Sequence, residues 1–430
     1  MLSAILGVWA LFVGLAVMML GVGLQGTLLG LRATSEGFGT ATTGLVMSGY
    51  YMGFVVGSWA APTLVRRVGH IRVFAALASI ASAAVLVHAV VVDPAAWMVM
   101  RLASGFSVAG LFVIAESWLN HSADNETRGK ILSIYMIVCV GSMAFGQFLL
   151  NVADPNGATL FIVISVLVSL SLVPISLTRH VAPPIDRPRP VSLAELYRAS
   201  PLGFVGCFVT GIAQGAFFSL AAVYAALVGL DVPTTALFLA LPLICVILVQ
   251  FPLGMLSDRF DRRIVLTTLA LVVAALALAN VFASFGPVTL QLAAVTIFGG
   301  LMIPLYSLSI AQMNDRISTD QMLGASSKLV FTYGLGSALG PLAVGAVMNA
   351  VGELGFFWTL SAVHLLVGLF ALYRMTRRSS AAREHQGGFV LVAPRATPIA
   401  AGVAMQMVEE GAPASAAEGN RADQAPAAAP

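Results

Sequence analysis

Two charged side chains interrupt one apolar stretch of this chain, Arg101 and Glu116 in RLASGFSVAGLFVIAESWLN, residues 101–120. Fifteen residues apart on one helix, they stand roughly 22 Å apart along the axis and about 60° apart around it. An ionisable group set in an apolar helix is costly, and by default it serves an ion, a substrate or a gate. Arg101 is a candidate for attracting an anionic group; the alternative is that it organises helix packing. Glu116 is a candidate for an ion pair with Arg67, Arg128 or Lys130, with substrate or proton binding as the alternative.

Uncharged hydrogen-bonders lie in the same setting. Gln25, Gln147, Gln214 and Tyr306 join Arg101 as candidates for lining a solute cavity. For the glutamines the competing reading is a helix–helix hydrogen bond, worth about 0.6–2 kcal/mol. His88 and His364 read as packed rather than proton-carrying, and Lys328 as a side chain that reaches the interface. Other chemistries lack their residues: there is no HExxH, no GxSxG, no Walker loop and no acidic metal cluster. The stretch GVGLQG (21–26) spells GxGxxG, but it follows no strand and lies in a charge-free apolar run, so it fails the context of a dinucleotide site. Neither an enzyme nor a cofactor or metal is expected.

Composition says what must position these groups. Of 430 residues, 59% are hydrophobic and 10% charged, where soluble domains carry about 25% charged residues. The solvent for such a surface is the lipid bilayer. Twelve runs are long enough to cross it, at about 5–30, 40–64, 73–92, 96–119, 131–151, 158–178, 202–229, 235–256, 264–284, 288–312, 323–350 and 355–375. The first carries no charge and is too long for a signal peptide, so it is expected to be a retained helix. With the N-terminus inside, the inner loops hold Arg66, Arg67, Arg72, Arg128, Lys130, Arg179, Arg187, Arg189, Arg198, Arg259, Arg262, Arg263 and Arg316, and the outer loops only Arg32. The positive-inside rule then places both termini in the cytoplasm of a multi-pass protein of the cell's inner membrane. A net charge of +3 argues for no nucleic-acid partner. Cys139, Cys207 and Cys245 fall within spans and suggest no disulfide framework.

Residues 179–201, basic and proline-rich, read as a cytoplasmic linker. They separate a six-helix bundle at 1–178 from a second at 202–375. Residues 376–430 read as a disordered tail, in which GFVLVAP (388–394) is a short apolar patch. The two halves echo each other. LQGTLLGL (24–31) aligns with AQGAFFSL (213–220), pairing Gln25 with Gln214, and PTLVRRVGHIRVF (62–74) aligns with GMLSDRFDRRIVL (254–266). Gly105, Gly129 and Gly141 match Gly300, Gly324 and Gly336 at a constant spacing of 195. Two copies of a six-helix unit suit alternating access around a midplane site.

These features resemble the major facilitator superfamily. Gly254-Met-Leu-Ser-Asp258-Arg259-Phe-Asp-Arg262-Arg263 is similar to its GxLxDRxxRR loop, with Asp261 where glycine is usual. The set RLASG, AES, RGKILSIYM, GxxxxGQ, QFPLG and YGLGSALGP looks closest to the YcaD-like branch. The resemblance implies a monomeric, all-α polytopic membrane protein of 12 transmembrane helices in two pseudo-symmetric bundles. It would move a small solute by a rocker-switch, as a facilitative or secondary active transporter. Proton-coupled efflux of amphipathic compounds, with protons as a second partner, is one alternative; a non-transporting sensor or scaffold is another.

By the same resemblance, Asp258 latches onto the start of span 5 near Gly129 and Lys130, where a helix N-terminus favours an anion. In the first-half loop Arg66 takes the aspartate position, while Arg67, Gly69 and Arg72 still fit. The expected gate is therefore Arg66, Arg67, Gly69, Arg72, Glu116, Arg128, Gly129, Lys130, Gly254, Asp258, Arg259, Arg262 and Arg263, with Glu116 compensating Arg66. Gly141 and Gly146 of span 5 and Gly336, Gly340 and Pro341 of span 11 are the expected flexing points.

Overall fold

The computed structural model describes residues 2–121, 128–177, 191–377, 389 and 397–410. Within them the chain is helical almost throughout. The first half comprises α1 (Leu2–Ser35), α2 (Thr40–Val68), α3 (His70–Val90), α4 (Pro94–His121), α5 (Arg128–Phe148) and α6 (Thr159–Ser176). A short helix α7 (Leu193–Ala199) precedes the second half. That half comprises α8 (Pro201–Leu227), α9 (Val232–Arg259), α10 (Arg262–Ala283), α11 (Val288–Met302), α12 (Leu305–Asn314), α13 (Thr319–Val351) and α14 (Gly355–Arg377), and α15 (Pro398–Glu410) follows.

Eleven segments among the described residues have the length and hydropathy to cross a bilayer, α11 and α12 together forming one of them. The twelfth expected span is α2, which has the length but is diluted by Gly, Ser, Thr and Tyr. It remains buried along one face, with Gly44, Gly49, Gly53 and Gly57 all inside. A span packed among other helices needs less apolar side chain than one facing lipid.

The helix contacts repeat between halves. Helix α1 packs on α5 and α6, α2 on α4, and α3 on α4 and α6; correspondingly α8 packs on α13 and α14, α9 on α11, and α10 on α11 and α14. Between the halves, α2 meets α13, α5 meets α9 and α1 meets α8. Under the exchange of halves these contacts map onto one another, so the fold is the expected pair of pseudo-symmetric six-helix bundles.

Three local features depart from the sequence reading. The linker holds α7, built on a capping box in which Ser192 and Glu195 satisfy each other's backbone amides. Span 10 is broken between α11 and α12 by Pro304, which lacks the amide needed to continue the ladder. The tail, expected to be disordered over 376–430, contains α15, with Ala400, Ala401, Ala404 and Met405 buried. Most of the GFVLVAP patch lies outside the described residues; its Phe389 is partly buried.

Alternation of the helices puts the α2–α3, α4–α5, α9–α10 and α12–α13 connections at one end, called the basic end here for its arginines. The α1–α2 and α13–α14 connections lie at the opposite end.

Candidate functional site

Hydrogen bonding in the interior gathers around two helices that face the other half, α1 and α8. On α5, Gln147 donates from Nε2 to the Gly23 carbonyl at 2.9 Å and accepts from Thr27 Oγ1 at 2.5 Å. On α8, Gln214 donates to the Ile303 carbonyl at 3.0 Å and accepts from Tyr333 Oη at 2.8 Å. The second contact exploits the broken span. Proline at 304 interrupts the helix next to Ile303, whose carbonyl takes the Tyr306 amide at a long 3.4 Å, and Gln214 supplies it with a shorter second bond. Tyr306 lies two residues beyond Pro304 in the first turn of α12, its ring 4.4 Å from that of Tyr333.

Among the described residues of this interior, Gln25 Nε2, Ser219 Oγ and Tyr306 Oη are buried without a hydrogen-bond partner. A buried donor without a partner costs about 1–3 kcal/mol and calls for an explanation in ligand or function. A cavity of about 10 Å³ lies between the halves, lined by Gly23, Thr27 and Gln147 on one side and Phe218, Leu239 and Leu243 on the other. That is room for roughly one water molecule. The seam is closed around its polar groups.

Arg101 is buried and lies 4.5 Å over the ring of Tyr50, a cation–π contact inside the first half. His88 and His364 each bond through Nδ1 to the carbonyl four residues back, at 2.6 and 2.7 Å, and pack edge-on to Trp97 and Phe298. Both are packing residues, as expected.

At the end opposite the arginines the two halves touch backbone to backbone. A Cβ on Gly44 would come within 2.2 Å of the Pro341 carbonyl oxygen, and one on Gly345 within 2.6 Å of that of Thr40. Thr40 Oγ1 donates to the Gly345 carbonyl at 3.1 Å across the same contact. Of the expected flexing points, Gly146, Gly336 and Gly340 press on the backbones of Leu20, Phe208 and Ile212, whereas Gly141 faces open space. The first three allow close approach of helices; Gly141 does not serve that purpose.

The basic end is arranged differently from the expected gate. Arg262 is fully buried and holds Ser257 Oγ at 2.9 Å, the Ala311 carbonyl at 3.0 Å and Asp315 at 2.6 Å. Asp258 accepts from Arg262 at 3.1 Å and is 42% exposed. Among the described residues its partner is thus in its own half; at the start of α5, Lys130 is exposed. Asp261 caps α10 at an ordinary φ of −56° and accepts from the Arg263 amide and guanidinium. Partial burial raises its pKa, but the hydrogen bonds from Arg263 outweigh this and hold the carboxyl below its usual value. Arg66, Arg67, Arg72 and Arg259 are exposed. Gly69 supports the α2–α3 turn at φ 95°.

Glu116 does not compensate Arg66, whose guanidinium bonds to Thr63 at 3.0 Å on the surface. The carboxylate is 3% exposed and accepts from Tyr135 Oη at 2.6 Å. Its other partners come from the tail: the Thr397 amide reaches both oxygens at 3.2 Å, the Ala400 amide reaches one at 3.2 Å, and the Thr397 hydroxyl bonds to that same oxygen. Glu116 therefore caps α15. The side chains of Arg128 and Gly129 lie outside the described set. No signal in the sequence pointed to Thr397 or Tyr135, while Pro304 within an apolar run was a readable sign of the broken span.

Comparison with known proteins agrees with the architecture. The family model described as Major Facilitator Superfamily matches residues 11–247 and again 203–408. The chain is 26% identical to the "Uncharacterized MFS-type transporter YcaD" of Escherichia fergusonii, over 87% of this chain and 97% of that protein. Against the protein of the same name from Salmonella typhimurium it is 26% identical, over 85% and 95%. Among solved structures, the nucleoside transporter NupG superposes with a TM-score of 0.71 at 13% identity, covering 85% of this chain and 98% of that one. A bacterial homolog of the human lysosomal transporter Spinster gives 0.68 at 13%, covering 88% and 97%. At such identities the structures speak for the fold.

Proposed function

This chain belongs to the Major Facilitator Superfamily, and from that premise we propose that it carries a small solute across the membrane by alternating access of its two halves. One observation carries the reading: each half buries a polar atom without a partner, Gln25 Nε2 on α1 and Tyr306 Oη on α12, the latter just beyond the broken span. Transporters of this kind place their sites at discontinuous helices near the midplane. Gln25, Gln147, Gln214 and Tyr306 line the solute's path, and Arg101 steadies the first half against Tyr50. The basic end faces the cytoplasm, as the arginine distribution supports. We take the bundles as 1–178 and 202–375, a division supported by the contacts within each set of helices.

Transport is facilitative. Glu116, five residues before the end of α4, is the carboxylate set furthest into a span among the described residues, and the tail occupies it. A thermal-shift screen of small polar solutes on the purified protein, followed by flux of the best hit in proteoliposomes, tests the proposal. Saturable flux indifferent to an imposed pH gradient is the expected result. Flux driven by that gradient would replace facilitation by proton coupling, and binding without flux would favour a sensor.

A further inference from the structure

The two ends of the bundle are closed by different means. Opposite the arginines, α2 and α13 close on each other directly, through Gly44, Pro341, Thr40 and Gly345. At the basic end an extra element stands between the halves: α15 packs on α4 and α5 of the first half and on α12 and α13 of the second. We propose that α15 is a tethered plug, closing the basic mouth of the transport path and competing with solute for the inner-mouth acceptor Glu116. The proposal deepens the transporter reading and rests on it.

Three features argue for a plug and against a permanent thirteenth strut. The first is where its polar anchors fall. Glu116, held in place by Tyr135, comes from the first half, and Ser326, which donates to the Pro398 carbonyl at 2.9 Å, comes from the second. One turn of the tail, Thr397 to Ala400, therefore bonds to both halves and staples them at a fixed separation. Any rocking that changes that separation must break one set of bonds.

The second is chemical. A buried carboxylate needs donors, and here it receives amides and the positive end of a helix dipole in place of a counter-ion. Thr397 is fully buried with its hydroxyl on Glu116. A neutral hydroxyl and two amides are what a polar solute would present to the same carboxylate. When α15 withdraws, Glu116 and Tyr135 stand at an open mouth ready for such donors.

The third is that the tail reaches this end at more than one point. Among the described side chains of the helix, Ala400, Ala401, Ala404 and Met405 are buried, and the covalent connection to α14 supplies a high local concentration that favours re-docking after withdrawal. A second tail residue, Phe389, lies against Gly254, where a Cβ would come within 2.4 Å of its ring. The tail therefore also touches the glycine of the α9–α10 loop motif, the element expected to latch this end.

Native Cys139 reports on the plug, being buried one turn beyond Tyr135 on α5. The full-length protein with Cys207→Ser and Cys245→Ser, purified in detergent, is labelled with N-ethylmaleimide and followed by mass spectrometry. Ending the chain after Ala396, or Glu116→Ala, is expected to speed Cys139 labelling at least tenfold. A synthetic peptide of residues 397–410, added at about the millimolar effective concentration of a tether, is expected to slow it again in the truncated protein. Labelling within twofold of full length in both variants, or acceleration that the peptide does not reverse, overturns the plug. No solute enters this measurement, so a shielding tail on a protein without flux would sink the transporter reading alone, and flux with an unshielded Cys139 would sink the plug alone.

Discussion

The carboxylate of Glu116 receives both the amide and the hydroxyl of Thr397, a residue 281 positions later in the chain. A charge buried near the inner end of α4 is thereby satisfied by the start of a helix that no span contains. The same oxygen takes the Ala400 amide, so the geometry is that of a helix N-cap supplied from another helix.

Hydrogen exchange measures this cap directly. Glu116→Gln keeps an acceptor but removes the charge, and a charge-assisted hydrogen bond is worth about 1.5–3 kcal/mol against roughly 1 for a neutral one. Exchange at the Thr397 and Ala400 amides should rise about tenfold in Glu116→Gln and more in Glu116→Ala, since about 1.4 kcal/mol corresponds to a factor of ten. Peptides covering α2 should be unaffected. Equal exchange in all three proteins would mean that the cap contributes nothing to docking.

That cap also shows where sequence reasoning reached its limit. Glu116 was legible because a carboxylate in an apolar run has few innocent explanations. Its partner was not, because the tail's Ala, Pro, Gly and Glu read as disorder and its capping carboxylate lies on a different helix. A local capping box such as Ser192 and Glu195 can be read from spacing; a cap from 281 residues away leaves no spacing to read. The spans themselves were visible as apolar runs of membrane-crossing length, α2 at 40–64 among them. Arg262 followed the same pattern as Glu116: the residue was singled out, but its buried partner Asp315, 53 positions on, was not.

Gln25 and Gln214, paired by the repeat, should behave oppositely on substitution. Gln214→Leu removes the 3.0 Å donor to the Ile303 carbonyl and the acceptor of the Tyr333 hydroxyl, at about 0.5–1.5 kcal/mol for each hydrogen bond lost. Gln25→Leu removes a donor that is already without a partner. The expected result is a lower unfolding midpoint for Gln214→Leu, and for Gln25→Leu an unchanged midpoint with weakened solute binding in the thermal-shift assay. A Gln25→Leu protein that loses stability while binding normally would reassign Gln25 to packing.

The motif arginine should prove structural. Breaking a buried ion pair by removing one partner costs about 3–5 kcal/mol, while replacing both partners with apolar groups is often neutral. Arg262→Met should therefore lower the apparent melting midpoint markedly, and adding Asp315→Leu should recover much of the loss. Asp258→Asn, at the exposed partner, should shift it little, as surface pairs contribute about 0–1 kcal/mol. If Asp258→Asn is instead the more damaging change, the loop is held by Asp258 and the burial of Arg262 has been misread as the anchor.

Closure opposite the arginines depends on there being no side chain at Gly44. A Cβ there meets the Pro341 carbonyl oxygen at 2.2 Å, and the obstacle is helix backbone, which cannot swing aside as a side chain can. Gly44→Val must therefore part α2 from α13 at this end, and a two-state bundle answers by shifting its population toward the form open there. Moving an equilibrium from 1:99 to 99:1 takes about 5.5 kcal/mol, a cost that overlap of this depth can approach. A reporter Thr40→Cys, whose hydroxyl now bonds to Gly345 across the seam, should then react with an impermeant maleimide at least tenfold faster. Gly141→Ala, where a Cβ meets nothing within 4 Å, is the matched control and should leave the rate unchanged. Because opening one end of a rocking bundle closes the other, Gly44→Val should also squeeze the cleft that α15 fills and expel the tail, raising exchange at Thr397 without any change to Glu116. Faster labelling at Thr40→Cys with an undisturbed Thr397 would show that the two ends are not coupled.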